Sequence, residues 1–127
     1  MIDHISLVVT DYEKSKSFYQ AALKPIGYSM LVEFGPEQTG GTPVCGFGAG
    51  QKPDVWLTQG TISSPPPHVA LGVDKRELVD AFHQAALAAG ATDNGAPGPR
   101  PMYHPGYYGA FVRDRDGNNF EVVCHKP

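Results

Sequence analysis

His4-Ile5-Ser6-Leu7-Val8-Val9 and His68-Val69-Ala70-Leu71-Gly72-Val73 are two copies of one short pattern, with His, Leu and Val recurring 64 residues apart. The segment after each copy repeats as well. Asp11 and Asp74 each precede a helical periodicity, and Gly27 and Gly90 each lie just beyond one. Self-similarity at half the chain length predicts a duplicated supersecondary unit. A histidine leading an otherwise apolar strand in both halves predicts that the two imidazoles meet at the centre.

The periodicity extends the repeat. Residues 2 to 9 alternate and are rich in β-branched types, as a strand requires. Asp11 is a candidate N-cap for a helix over 12–23 with Tyr12, Phe18, Tyr19, Ala22 and Leu23 on its apolar face, ended by Pro25 and Gly27. Strands are predicted near 28–34, 43–49 and 54–59. Pro65-Pro66-Pro67 reads as a stiff connector. The second half then runs as a strand over 68–73, a helix entered by a capping box of Asp74 and Glu77, and strands near 98–103, 107–113 and 119–125. Asp116-Gly117 supplies the last hairpin turn. The expected architecture is α+β: two βαβββ units, 1–64 and 65–127, in one domain whose curved mixed sheet encloses a cup.

Ten basic against thirteen acidic residues give a net charge of −3 with no basic cluster, which argues against a nucleic-acid partner. No apolar run reaches membrane-spanning length and no basic segment leads the chain, so no membrane partner and a cytoplasmic location are expected. Cys45 and Cys124 have no close spacing and read as reduced thiols.

Side chains on a strand alternate faces. Ile5, Leu7 and Val9 form one apolar face, as do Val69, Leu71 and Val73, and Phe120, Val122 and Cys124. The opposite faces carry His4, His68 and Glu121, with the small Ser6, Ala70 and Gly72 leaving room above the strands. Two imidazoles and a carboxylate suit one divalent first-row metal ion (manganese, iron(II), zinc or nickel) and leave positions open for substrate. The ion would polarise a substrate oxygen as a Lewis acid. A metal-free cup or a hydrogen-bonded core triad accounts for the same three residues.

The two histidine-led strands, the helix after each, and Asp116-Gly117-Asn118-Asn119-Phe120-Glu121 give the chain a resemblance to the vicinal oxygen chelate superfamily. That superfamily includes glyoxalase, extradiol dioxygenases, fosfomycin-resistance enzymes and bleomycin-resistance proteins. The resemblance covers essentially the whole chain. It implies ligands from the first and fourth strands of each unit, hence His4, His68 and Glu121, with Trp56 at the remaining position. Trp56 cannot ligate, which departs from the glyoxalase pattern and makes it a wall for a flat or apolar substrate. The resemblance also implies a homodimer.

Arg100, Tyr103, His104, Tyr107 and Tyr108 cluster before the last hairpin. His104 and Tyr108 are candidate acid–base and orienting residues, by similarity to the dioxygenases. Arg100 is a candidate for holding a carboxylate or phosphate. Phe47, Trp56, Tyr103 and Tyr107 are candidate substrate walls. His83 is expected at the surface, and Arg113 to Asp116 as a solvated turn. The expected function is a metal-dependent lyase, isomerase or dioxygenase acting on a small oxygenated molecule. The competing classes are a metal-free sequestering protein of the bleomycin-resistance type and an inactive relic.

Overall fold

The computed structural model describes residues 1–127. The first half forms β1 (Ile5–Val9), α1 (Tyr12–Leu23), β2 (Ser29–Phe34), a short α2 (Pro36–Thr39), β3 (Val44–Gly48) and β4 (Val55–Gln59). The second half forms β5 (His68–Val73), α3 (Arg76–Ala88), β6 (Thr92–Pro99), β7 (Tyr108–Arg113) and β8 (Asn119–Cys124). Each half closes its own four-stranded mixed sheet, ordered β1-β4-β3-β2 and β5-β8-β7-β6. The first strand of each half lies parallel to the fourth and leaves its other edge free. Two βαβββ units of α+β class are therefore present, and the sheets stay open.

Local chemistry sets the boundaries. The Asp11 side chain accepts from the Lys14 backbone N–H at 3.1 Å and caps α1. Gly27 and Gly90 adopt positive φ just beyond the two long helices, which an L side chain resists. Two expectations fail here. Helix α3 begins at Arg76 behind Lys75, with no side-chain cap, so Asp74 and Glu77 form no capping box. The sixth strand lies at 92–99 rather than 98–103, because Arg100 and Tyr103 turn the chain back after Pro99. The glycines in β6 accommodate its irregular pairing with β7.

The inner faces of both sheets pack on α1 and α3 in one core. It holds Leu7, Tyr19, Leu23, Phe47, Leu57, Val79, Phe82, Phe120 and Val122, all essentially inaccessible. Tyr19 of α1 reaches Phe120 of β8 with ring centroids 5.4 Å apart, so the two halves share that core. Cys45 and Cys124 are free and buried. Two further expectations are corrected. His83 is buried, because it lies one helical turn beyond Val79 on the packed face of α3, and its Nε2 meets Asp93 Oδ1 at 2.9 Å. Asp114 is also buried, accepting hydrogen bonds from Tyr19 and Asn118, and is no part of a solvated turn. No helix is long and apolar enough to cross a membrane.

Candidate functional site

The register places the polar faces. In the second sheet Ala70 sits beside Glu121, and Phe111 beside Glu121 on the other flank, so His68, Glu121, Gly109 and Phe111 share the face turned away from the helices. Glu121 is only 1 % exposed on that face. His68 Nε2 lies 2.9 Å from its Oε1, and the Tyr107 hydroxyl donates to its Oε2. Burial, then the hydrogen bond to Glu121, raises the Tyr107 phenol well above its ordinary range, so it stays a donor at neutral pH.

The first sheet presents a different surface. Ser6 pairs with Trp56, and Trp56 with Gly46 across β3. A Cβ on Gly46 would lie 3.1 Å from the Trp56 ring and 2.7 Å from Pro53, so glycine makes the seat for the indole. Phe34, 40 % exposed, is nearly parallel to Trp56 with centroids 6.3 Å apart, and His4 meets the indole edge-on at 6.4 Å. This face is an aromatic floor with an imidazole at its edge. Phe34 joins this aromatic surface without being revealed by the sequence, since nothing in a single strand pattern marks which aromatic will stack on Trp56.

The three expected metal ligands do not converge within the chain. His68 and Glu121 meet, but His4 closes on Asp3, with Nδ1 to Oδ1 at 2.6 Å. Both histidines border one cleft of about 650 Å³ between β1 and β5. The strand directions separate them. Asn118 Nδ2 donates to the Val8 carbonyl at 3.2 Å, and the Asn119 N–H to the Pro67 carbonyl. The end of β1 therefore lies against the start of β5. His4, just before β1, lies four residues from Val8, roughly 13 Å along the strand at 3.3 Å per residue. No three His, Cys, Asp or Glu side chains group closely enough to hold a metal ion.

The remaining candidates divide by strand parity and by how their polar atoms are used. Tyr107 faces Glu121, whereas Tyr108 points to the helix side, where its hydroxyl donates to Asp80 Oδ1 at 2.7 Å under the Arg76 guanidinium. Tyr108 is therefore no partner of the His68–Glu121 pair. Phe47 is 0 % exposed and faces the core with Val55, its cross-strand partner, so it cannot be a substrate wall. Arg100 donates to the carbonyls of Gly98 and Ala96, both at 2.9 Å, and lies over Phe111. Its guanidinium secures the irregular end of β6 instead of reaching for an anion. His104 Nε2 and His125 Nδ1 are 2.8 Å apart, and the Gly106 N–H donates to His104 Nδ1 at 3.1 Å. Because Nδ1 accepts, the proton belongs on His104 Nε2, which donates to His125. Tyr103 is exposed and packs edge-on to Tyr107 at 4.9 Å.

A family model described as Glyoxalase/Bleomycin resistance protein/Dioxygenase superfamily matches residues 1–122. Among solved structures, a glyoxalase/bleomycin resistance protein from Albidiferax ferrireducens T118 is 25 % identical with a TM-score of 0.77, and 98 % of each chain is covered. Glyoxalase I from Zea mays, solved as a mutant, is also 25 % identical, with a TM-score of 0.73 over 96 % of this chain and 45 % of that one. The fosfomycin resistance protein FosX from Listeria monocytogenes was solved with Mn(II) and 1S,2S-dihydroxypropylphosphonic acid. It is 19 % identical, with a TM-score of 0.68 over 100 % of this chain and 90 % of that one, which is a likeness of fold. No curated protein matches.

Proposed function

This chain belongs to the Glyoxalase/Bleomycin resistance protein/Dioxygenase superfamily, and we propose that it is a metal-dependent enzyme acting on a small oxygenated organic molecule. The reading is carried by the buried Glu121, whose Oε1 lies 2.9 Å from Nε2 of the half-exposed His68. A carboxylate taken out of water needs a cation or strong donors, and an imidazole beside it shares that role. Nitrogen and oxygen donors so placed fit a divalent first-row ion. His68 and Glu121 of one chain would hold it together with His4 of the partner subunit.

The partner in this proposal is a second copy. The edges of β1 and β5 are free, and Ser6, Ala70 and Gly72 stand exposed beside them. With the first sheet of one copy set against the second sheet of the other, the aromatic surface of Trp56 and Phe34 would face the His68–Glu121 pair. When bound, the metal ion supplies Lewis-acid polarisation of a substrate oxygen and fixes the substrate's orientation. The chain supplies the rest. Glu121 brings negative charge, Trp56 and Phe34 flank the substrate and exclude water, and Tyr107 keeps its proton toward the carboxylate. The reaction class is lyase or isomerase chemistry, or oxygen insertion, according to the ion.

A second reading is favoured by the Trp56–Phe34 stack over Gly46: a metal-free cup that sequesters a flat ligand. Elemental analysis of protein purified without tag or chelator, beside His68→Ala, separates the two. Near-stoichiometric divalent metal lost in the variant is the expected result. No metal in either protein after reconstitution overturns the metalloenzyme and leaves the sequestering cup.

A further inference from the structure

We propose that Tyr107 is a positioning residue that locks the Glu121 carboxylate in one rotation, so that Oε1 alone is presented beside His68. This role rests on the proposed metal site and deepens it.

Glu121 has two oxygens and each meets a different group. Oε2 accepts from the Tyr107 hydroxyl, and Oε1 lies against His68 Nε2. Without the phenol, a carboxylate in this place is free to turn about its last bond or to offer both oxygens at once. With it, one oxygen is committed, and the other is a single-point donor with a fixed direction. Partners that orient a ligand in this way act on affinity and on coordination mode without touching the ion.

The surroundings are built for this contact. A Cβ on Gly109 would sit 3.0 Å from Glu121 Oε2 and 3.1 Å from Tyr107 Cε1, so glycine at that point of β7 leaves the phenol and carboxylate room to meet without being pressed. The Tyr107 ring is held from three sides, edge-on to Tyr103 at 4.9 Å, His104 at 5.4 Å and His125 at 5.3 Å. Its backbone is fixed by an N–H bond to the His104 carbonyl and by its own carbonyl accepting from Arg100. The His104–His125 hydrogen bond joins this turn to the end of β8, the strand that carries Glu121. Those two histidines thus brace the phenol.

The test is Tyr107→Phe, which removes one oxygen and keeps the ring. Two readouts are taken on wild type, Tyr107→Phe and Glu121→Gln. The first is the nitrogen-15 spectrum of the His68 imidazole in metal-free protein, which reports the tautomer and hydrogen bonding at Nε2. The second is Co(II) titration, followed by the d–d absorption that reports coordination number. We expect Tyr107→Phe to keep its fold by circular dichroism, to shift the His68 nitrogens toward the Glu121→Gln pattern, and to weaken Co(II) by roughly 10–100-fold with an altered absorption band. Unchanged His68 nitrogens in Tyr107→Phe overturn the positioning role, whether or not cobalt binds. Cobalt refused by the wild type, with His68 nitrogens still shifted by the variant, overturns the metal reading and leaves the positioning of Glu121 standing. Gly109→Ala is the second variant, expected to reproduce the nitrogen shifts by crowding the same bond.

Discussion

Tyr19 on α1 and Asp114 after β7 close a buried hydrogen bond of 2.7 Å that ties the first half of the chain to the second. Asp114 is the hub of its turn. Its other acceptor positions take the N–H groups of Asp116 and Asn118, both at 2.9 Å, and the Asn118 side-chain amide at 2.8 Å. Asn118 in turn donates to the Val8 carbonyl, so this network fixes how β1 meets β5.

The Asp114 network predicts an asymmetry between two substitutions. Tyr19→Phe deletes one hydrogen bond and leaves the carboxylate with three other donors, a loss of about 1 kcal/mol. Asp114→Ala strands several buried donors together and costs about 3 kcal/mol. Urea unfolding should show the larger midpoint shift for Asp114→Ala at an unchanged slope. Equal shifts would mean that the turn re-forms its bonds with water.

Alkaline pH should unfold this protein. Burial, then the hydrogen bond to Asp54, pushes the Tyr28 phenol up to about 12. Burial chiefly raises Tyr12, beside Glu33, and Tyr19, beside Asp114, still further. The folded state therefore keeps protons that the unfolded chain releases near its ordinary value of 10.0. Each contribution is intact below that pH and is lost as pH rises through the folded value. Urea midpoints should fall as pH climbs above 10, and the phenolate absorbance of these three tyrosines should appear together with unfolding. Phenolate forming fully before any loss of circular dichroism would contradict the shielding of these three hydroxyls by their carboxylate partners and surroundings.

Strand alternation and the half-chain repeat made most of the frame legible. The two long helices, every strand but β6 and the shared face of His68 and Glu121 follow from spacing alone. Choices between neighbours did not. Tyr107 and Tyr108 differ by one residue, and the register with β8 shows that Gly109 and Phe111 share a face with Tyr107. A signal was available, since Ala110 and Val112 mark the helix-facing parity to which Tyr108 belongs. Phe47 was misplaced for the same reason, as its partner Val55 settles its face. His83 lay on the stripe of Val79, Phe82 and Ala86, where helical spacing marks it as packed. The separation of His4 from His68 had no local signal, because it depends on which way β1 meets β5.

Trp56 is the single tryptophan, so its emission reports the aromatic floor alone. Gly46→Ala would place a methyl 2.7 Å from Pro53 and against the indole, and neither is a flexible chain end. Overpacking of this kind costs about 1–3 kcal/mol. The variant should lose stability and shift its emission to longer wavelength as Trp56 lifts toward solvent. Unchanged emission would mean that the strand moves and the indole stays seated.

The proposed two-copy site makes a complementation prediction. His4→Ala removes one ligand and leaves His68 and Glu121 intact, and His68→Ala removes another and leaves His4 and Glu121 intact. A twofold dimer built from one copy of each has one site with both lesions and one site with none. Random assortment of the two variants makes half of the dimers mixed, so about a quarter of all sites regain every ligand. The measurement is bound metal in co-refolded His4→Ala and His68→Ala protein, at a concentration where neither variant alone retains the ion. Recovery near a quarter of the wild-type content is expected, with light scattering giving twice the chain mass. If His4 and His68 of the same chain shared an ion, every site in the mixture would carry a lesion and no metal would return. That result would require β1 to move relative to β5, against the Asn118 bond to Val8 that the Asp114 network holds in place.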